Sequence, residues 1–361
     1  MKICVVTGSR AEYGLLSPVM KELETYFKLQ VVVTGAHLSK EYGYTVKEVE
    51  KDYRITDCVD MVLDDTVRGV TRSLGIGVIK FADTFDKLKP DIVVLLGDRY
   101  EIFAAAQAAL IATIPIAHIA GGDTTEGAFD EAIRHSITKM SHIHFTTNEE
   151  SARRVRQMGE NPDYVFNVGS PGLDALKVME RKSLERELGF KLKDKNILVM
   201  FHPATLDDED PAEQFMKILD AVGDGIFIAP NADTGRGGIA DLLRGKERVF
   251  DSLPRDVFIS LLAHVDVLVG NSSCGLYEAP TLKTPTVNIG DRQGGRLRAS
   301  SVIDCGFDNI PEAIEKALMM DCSDVVNPYG CGDSSEKIVN ILRGIDNPKG
   351  LIKKKFWGEI T

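Results

Sequence analysis

Acid, base and hydroxyl side chains gather in this chain at a few short loops, and their spacing limits the chemistry they can do. The densest run is Gly121-Gly122-Asp123-Thr124-Thr125-Glu126-Gly127-Ala128-Phe129-Asp130-Glu131-Ala132-Ile133-Arg134-His135. Four carboxylates stand there beside three glycines, and glycines let the backbone approach a ligand closely. A helix beginning near Asp130 puts Arg134 one turn on, on the same face. Helix-end electrostatics accounts for Asp130 and Glu131, which favour an N-terminal dipole. It does not account for Asp123 and Glu126 in the glycine loop. A second acid–base pair, Gly97-Asp98-Arg99, ends the apolar run Ile92 to Leu96. Asp98 reads plainly as a helix cap or half of an ion pair, and a capped carboxylate is also a positioned one.

Other loops suit anions. Thr7-Gly8-Ser9-Arg10-Ala11-Glu12-Tyr13-Gly14 runs from a strand into a helix, where free N–H groups meet an anion. It is not a GxGxxG loop, and Arg10 reads equally as an anion ligand or a solvated surface residue. Gly270-Asn271-Ser272-Ser273-Cys274-Gly275-Leu276-Tyr277-Glu278 is a phosphate cradle without a P-loop lysine. Arg292, Arg296 and Arg298 follow among glycines, and arginines can grip a diphosphate through forked hydrogen bonds. His202 ends the apolar run Ile197 to Phe201, a good place for ligand contact. His135, His142 and His144 match no zinc spacing, so no metal is expected.

The elements that must carry these loops alternate along the chain. Runs rich in β-branched residues (Ile3 to Thr7, Val31 to Thr34, Ile92 to Leu96, Ile114 to Ile119, Ile143 to Thr147) are each followed by a turn and a helical pattern. The rhythm restarts after the lysine-rich stretch 177–195 with Ile197 to Phe201, Ile226 to Ala229, Val267 to Val269 and Thr286 to Ile289. Repeated β–α order predicts parallel sheets covered on both faces. The expected architecture is α/β, two Rossmann-like domains facing across a cleft. Ligands of such sheets bind beyond the carboxyl ends of the strands, where the loops above lie.

The expected boundaries are 1–172 for a first domain holding the acidic loop, 173–345 for a nucleotide-binding domain, and 346–361 for a tail packing back on the first. The helical stretch Ser334 to Ile345 leaves open an earlier return.

The chain has 361 residues, 43% hydrophobic and 27% charged, with a formal net charge of −11. That is ordinary for a soluble globular protein of two domains. It argues against a nucleic-acid partner, which calls for a basic surface, but not against a nucleotide held by a few placed arginines. The six cysteines form no CxxC pair and read as buried reduced thiols. No run is long and apolar enough to span a bilayer, and the first residues do not read as a signal peptide. No membrane partner is expected, and the expected location is the cytoplasm.

Together the motifs resemble the UDP-N-acetylglucosamine 2-epimerase family, in its hydrolysing, sialic-acid-pathway branch. The carrying segments are Thr7 to Gly14, Gly97-Asp98-Arg99, Gly121 to Lys139, Pro230-Asn231-Ala232-Asp233, Gly270 to Glu278 and Asn288 to Gln293. The resemblance implies a fold like the GT-B glycosyltransferases, with the active site in the interdomain cleft. It implies anti elimination of UDP from UDP-N-acetylglucosamine to a 2-acetamidoglucal, then syn addition of water to give N-acetylmannosamine. No cofactor is implied, UDP-sugar and UDP are the expected ligands, and a homo-oligomer, dimer or tetramer, is expected. The implied catalytic set is Asp98, Asp123, Asp130, Glu131, Arg134 and His202. The implied nucleotide contacts are Arg10, Arg99, His202, Asn231, Ser272, Ser273, Gly275, Glu278 and Arg292.

Many relatives carry glutamate directly before and after the double glycine, where this chain has Ala120 and Asp123. Asp123 is therefore expected to take over part of the missing glutamate's work, with Glu126 an alternative. Related enzymes act on UDP-N,N′-diacetylbacillosamine, and that substrate stays open beside UDP-N-acetylglucosamine. A GT-B glycosyltransferase and a non-catalytic sugar-nucleotide sensor are the other readings.

Overall fold

The computed structural model describes residues 1–40, 44–62, 66–124, 129–203, 210–230, 236–251 and 253–358. They divide into two units, one of Met1–Ala175 with Tyr329–Thr361 and one of Leu176–Pro328.

The first unit begins β1 (Lys2–Thr7), α1 (Arg10–Tyr26), β2 (Lys28–Thr34), α2 (Val46–Asp52), β3 (Ile55–Val59), α3 (Val67–Leu88). It continues β4 (Ile92–Leu96), α4 (Tyr100–Ile111), β5 (Ile116–Ile119), α5 (Asp130–Met140), β6 (Ile143–Thr146), α6 (Glu149–Gln157), β7 (Val165–Asn167). The strands form one sheet in the order β3-β2-β1-β4-β5-β6-β7, parallel throughout. Strand β4 is buried along its whole length, as a central parallel strand covered on both faces must be.

The second unit contains α7 (Arg181–Leu188), β8 (Ile197–Met200), α8 (Pro211–Val222), β9 (Ile226–Ile228), α9 (Arg236–Leu243), β10 (Val249–Phe250) and α10 (Arg255–His264). Then come β11 (Val267–Gly270), α11 (Cys274–Thr281), β12 (Thr286–Ile289), β13 (Val302–Cys305) and α12 (Ile310–Leu318). Its sheet runs β10-β9-β8-β11-β12-β13, again parallel. In both sheets the order reverses once, between β1 and β4 and between β8 and β11. Such a switch point opens a crevice at the strand ends. The first holds the loops at Gly8 and Gly97, the second those at His202 and Gly270.

The boundary of the second unit differs from the expectation. Helix α13 (Ser334–Arg343) belongs to the first unit, not to a domain running to residue 345. The reason is burial. Ile338, Val339 and Leu342 are at most 1% exposed and share a core with Leu16, Val19 and Leu23 of α1. Each such side chain stabilises by roughly 1.5–3 kcal/mol when buried. The return is anchored at its start, where the Asp174 carboxylate accepts the backbone N–H groups of Ser334 at 3.1 Å and Ser335 at 2.5 Å.

The cysteines are all free, but only Cys4, Cys274 and Cys322 are buried; Cys58 and Cys331 are exposed, against expectation. Among the described residues no helix is long and apolar enough to cross a membrane.

Candidate functional site

The centre of the first unit is Arg134, buried on α5. Its Nη1 donates to the backbone oxygen of Asp123 at 2.9 Å and to Glu131 Oε2 at 3.1 Å, while its Nη2 donates to Asp98 Oδ2. The predicted helix start at Asp130 holds, and it sets Glu131 and Arg134 on one face. Asp98 does not cap the following helix; Arg99 occupies that position, without a side-chain cap. The Asp98 carboxylate turns to Arg134 instead. Asp130 opens α5, and burial raises its pKa above the ordinary carboxylate value, against the opposing field of Arg99. Sequence-separated loops thus bring Asp98, Glu131 and Arg134 into contact, with Asp130 within reach of Arg99's charge.

A buried histidine props this arrangement. His118 Nε2 lies 2.8 Å from the Gly97 oxygen and Nδ1 lies 3.2 Å from Thr138 Oγ1. A carbonyl only accepts, so Nε2 carries the proton and Nδ1 takes the threonine hydroxyl's hydrogen. Burial holds its pKa down, to about 3, so the ring stays neutral. A Cβ on Gly121 would stand 2.8 Å from His118 Nδ1, so that glycine is needed for the contact.

Asp123 is tied into the loop. Its Oδ1 accepts from Thr147 Oγ1 at 2.7 Å and from Ser151 Oγ at 2.6 Å. Glu126 lies outside the described residues. Ala120 adopts a left-handed backbone, φ +63°, which costs a non-glycine residue about 1–2 kcal/mol.

The three histidines weighed as metal ligands have other partners. His135 Nε2 meets Glu131 Oε1 at 3.0 Å, His142 Nδ1 accepts from the Ile116 N–H at 3.2 Å, and His144 Nε2 meets Glu160 Oε2 at 3.0 Å.

In the second unit, Gly270 has φ +140°, and a Cβ there would stand 2.0 Å from the Met200 oxygen. Only glycine lets β11 pass β8 and turn into the next loop. Asn271 then clamps His202 by two bonds. Its Oδ1 accepts from the His202 N–H at 2.7 Å and its Nδ2 donates to the His202 oxygen at 2.8 Å. The Asn271 backbone oxygen accepts from Gln293 Nε2 at 2.8 Å and Arg292 Nη1 at 3.2 Å. Ser272 and Ser273 lead into α11, whose first turn includes Gly275; a Cβ there would stand 2.6 Å from Thr286 Cγ2. Glu278 lies on the same helix; burial raises its pKa, with Arg255 opposing. Of the other predicted contacts, exposed Arg10 pairs with Glu48 at 3.1 Å, and Arg99 pairs with Glu101 at 2.5 Å. Asn231 lies outside the described residues.

Comparison with known proteins adds the family. The model of the UDP-N-acetylglucosamine 2-epimerase family matches residues 21–343. The chain belongs to that family. It is 40% identical over 334 residues to the GDP/UDP-N,N′-diacetylbacillosamine 2-epimerase (hydrolyzing) of Campylobacter jejuni, covering 87% of each chain. It is 37% identical to the polysialic acid biosynthesis protein P7 of Escherichia coli, covering 96% of this chain and 90% of the relative. The crystal structure of UDP-GlcNAc 2-epimerase from Neisseria meningitidis, bound to UDP-GlcNAc, superposes with a TM-score of 0.80 at 21% identity. The overlap covers 95% of this chain and all of that one, so the two-sheet α/β fold is that of the 2-epimerase family.

Asn271 and His118 stand at strand ends in the sequence, which assigns neither an individual role; both serve this 2-epimerase framework as supports. Asn271 stood in a motif read for its hydroxyls. His118 precedes the double glycine at a strand end, but its partners Gly97 and Thr138 lie about twenty residues away on either side in the sequence.

Proposed function

We propose that this family member is a hydrolysing 2-epimerase of a UDP-linked 2-acetamido sugar. A carboxylate takes the proton from C2 as the C1–O bond to UDP breaks. Water then adds syn across the double bond, its hydroxyl to C1 and a proton to the same face of C2, opposite to the face the first proton left. The observation that carries this reading is the Arg134 centre, where two carboxylates share one buried guanidinium and Asp130 stands nearby. Acid–base groups with different environments are what a proton abstraction followed by a proton return requires. Asp98, Asp130 and Glu131 are the proposed proton carriers, and Arg134 orients them. Asp123, its Oδ1 held by two hydroxyls, is proposed to fix the glycine loop.

The leaving UDP gathers negative charge, which preorganised donors stabilise. Ser272, Ser273, Gly275 and Arg292 are proposed for the diphosphate. His202 is proposed beside it, and Glu278 as acceptor for a nucleoside hydroxyl. Two substrates are candidates. UDP-N,N′-diacetylbacillosamine is favoured by the 40% identical relative, and UDP-N-acetylglucosamine by the family. Incubating the protein with each sugar nucleotide alone tests the proposal. Release of UDP with a free 2-epimerised sugar is expected from one of them. Release that depends on an added acceptor, or binding without turnover, overturns it.

A further inference from the structure

Two buried acids outside the Arg134 centre have no role so far. Glu12 is 5% exposed in the first turn of α1, and Glu101 is fully buried in the first turn of α4. Those helices follow β1 and β4, the strands that flank the switch point. A Cβ built on Gly8 would stand 2.9 Å from Glu101 Oε1 and 3.0 Å from Glu12 Oε2, so the two carboxylates are neighbours across that glycine. Gly35, at φ +55°, leaves room from the other side, since a Cβ there would stand 3.0 Å from Glu101 Oε1.

The partners are too few for two ionised acids. Glu12 Oε2 accepts from the Gly8 N–H at 2.9 Å and from Ser9 Oγ at 3.5 Å, and Glu101 Oε1 accepts from Arg99 Nε at 2.5 Å. Glu12 Oε1 and Glu101 Oε2 are buried with no hydrogen-bond partner among the described residues. Two carboxylates that ionise side by side repel, and one of them then keeps its proton. A proton on Glu12 removes one of two neighbouring buried negative charges. We propose that Glu12 and Glu101 hold a single proton between them beneath Gly8, leaving one net negative charge to fix Arg99 at the end of β4. Both are thereby positioning residues for the proposed epimerase, acting through Arg99.

The consequence reaches the Arg134 centre. Arg99 follows Asp98 in the chain, and its charge opposes the burial that raises the Asp130 pKa. Loss of the shared proton puts a second negative charge against Arg99, weakens its field and makes Asp130 harder to ionise. Glu12 is the acid that keeps the proton. Burial and then the Glu101 charge push its pKa up to about 8, against Arg99, the Gly8 N–H and Ser9. Of the other titratable groups nearby, His37 is held neutral by burial, its pKa lowered to about 4, and bonds to Thr7 and Thr45. Tyr100 bears on Arg99, and Arg10 turns to Glu48.

The inference rests on the epimerase reading only for its kinetic test, so the experiment has two arms. Infrared difference spectra of the whole protein, taken across neutral to alkaline pH, are expected to show a protonated-carboxyl band that vanishes near pH ~8. Glu12→Gln should lack that band. Arg99→Gln should carry it to higher pH by about a unit, because removing the cation favours the proton. In turnover of the UDP-sugar, kcat/KM should fall on an alkaline limb that Glu12→Gln removes. Glu101→Gln should lower kcat/KM about tenfold or more, and Glu101→Asp should restore part of it. An unchanged band and limb in Glu12→Gln overturns the proposal. Should Glu12→Gln not fold, an Arg99→Gln titration identical to wild type overturns it alone. A wild-type protein without turnover on either sugar overturns the function while leaving the infrared arm to decide the pair.

Discussion

Arg134 on α5 holds the carboxylate of Asp98, 36 residues earlier at the end of β4. The guanidinium is buried and the carboxylate is partly open, with side-chain exposures of 7% and 22%. The contact therefore joins the framework of the first unit to groups that a substrate can reach. It is also the point at which the proposed chemistry is easiest to break.

Asp98→Asn and Asp130→Asn should each lower turnover about a hundredfold or more, the usual worth of a positioned acid or base. UDP affinity should stay within a few fold, because neither carboxylate is assigned to the nucleotide. Steady-state kinetics beside calorimetry with UDP checks this. Near-wild-type turnover in either variant removes that residue from the mechanism.

Asp123→Asn and Glu131→Gln should separate anchoring from catalysis. The amide oxygen of Asn can still accept from Thr147 and Ser151, so turnover should fall by no more than about tenfold. Glu131→Gln should lose about a hundredfold or more. The readout is the rate at which deuterium enters C2 of the product in deuterium oxide. Loss in Asp123→Asn alone would return Asp123 to the role of base.

Asn271→Leu should cost roughly 1–3 kcal/mol for each buried His202 backbone group left unpaired. It should also weaken UDP binding, since His202, Ser272 and Ser273 flank it. Arg292→Ala should weaken UDP binding by about 1.5–3 kcal/mol if it meets a phosphate, with little change in melting temperature. Calorimetry and thermal denaturation together tell the two apart. Unchanged UDP affinity in both would move the diphosphate elsewhere.

Acid should unfold the protein partly through Glu160. Burial alone would raise its pKa, but hydrogen bonds from His144, Lys139 and Lys354 hold it at about 2. A depressed carboxylate adds stability above its ordinary pKa of about 4.5 and loses it as pH falls from there through about 2. Glu160→Gln should lower the melting temperature at neutral pH and flatten its fall in acid. Breaking a buried pair costs about 3–5 kcal/mol, and less here because Lys139 and Lys354 still reach solvent. A parallel acid slope in the variant would count against this account.

The interior of the fold was legible in the sequence for a plain reason. Central parallel strands such as β4 and β11 are buried on both faces and read as continuous apolar runs. The edge strands β3, β7, β10 and β13 did not announce themselves. They are only partly buried, and β3 carries Thr56, Asp57 and Cys58. Charged loops were legible because carboxylates and arginines cluster there beside glycines, so Asp98, Glu131 and Arg134 drew attention. Supports were not, because a buried polar residue looks ordinary until its partner is known. Asn271 becomes meaningful only beside the His202 backbone. Glu12 and Glu101 become meaningful only when two helices start side by side.

Helix α13 has a consequence for how the protein is made. Ile338, Val339 and Leu342 complete a core whose other members lie in the first 168 residues. A ribosome delivers residues 176–328 before it delivers that helix. Synthesis at about 5–20 residues per second makes the wait on the order of ten seconds or more. The second unit, continuous in sequence, can close during that interval, while the nascent first unit still shows the α1 surface that α13 will cover. A newborn chain therefore passes through a stage with an open apolar seam, and molecular chaperones would meet it there.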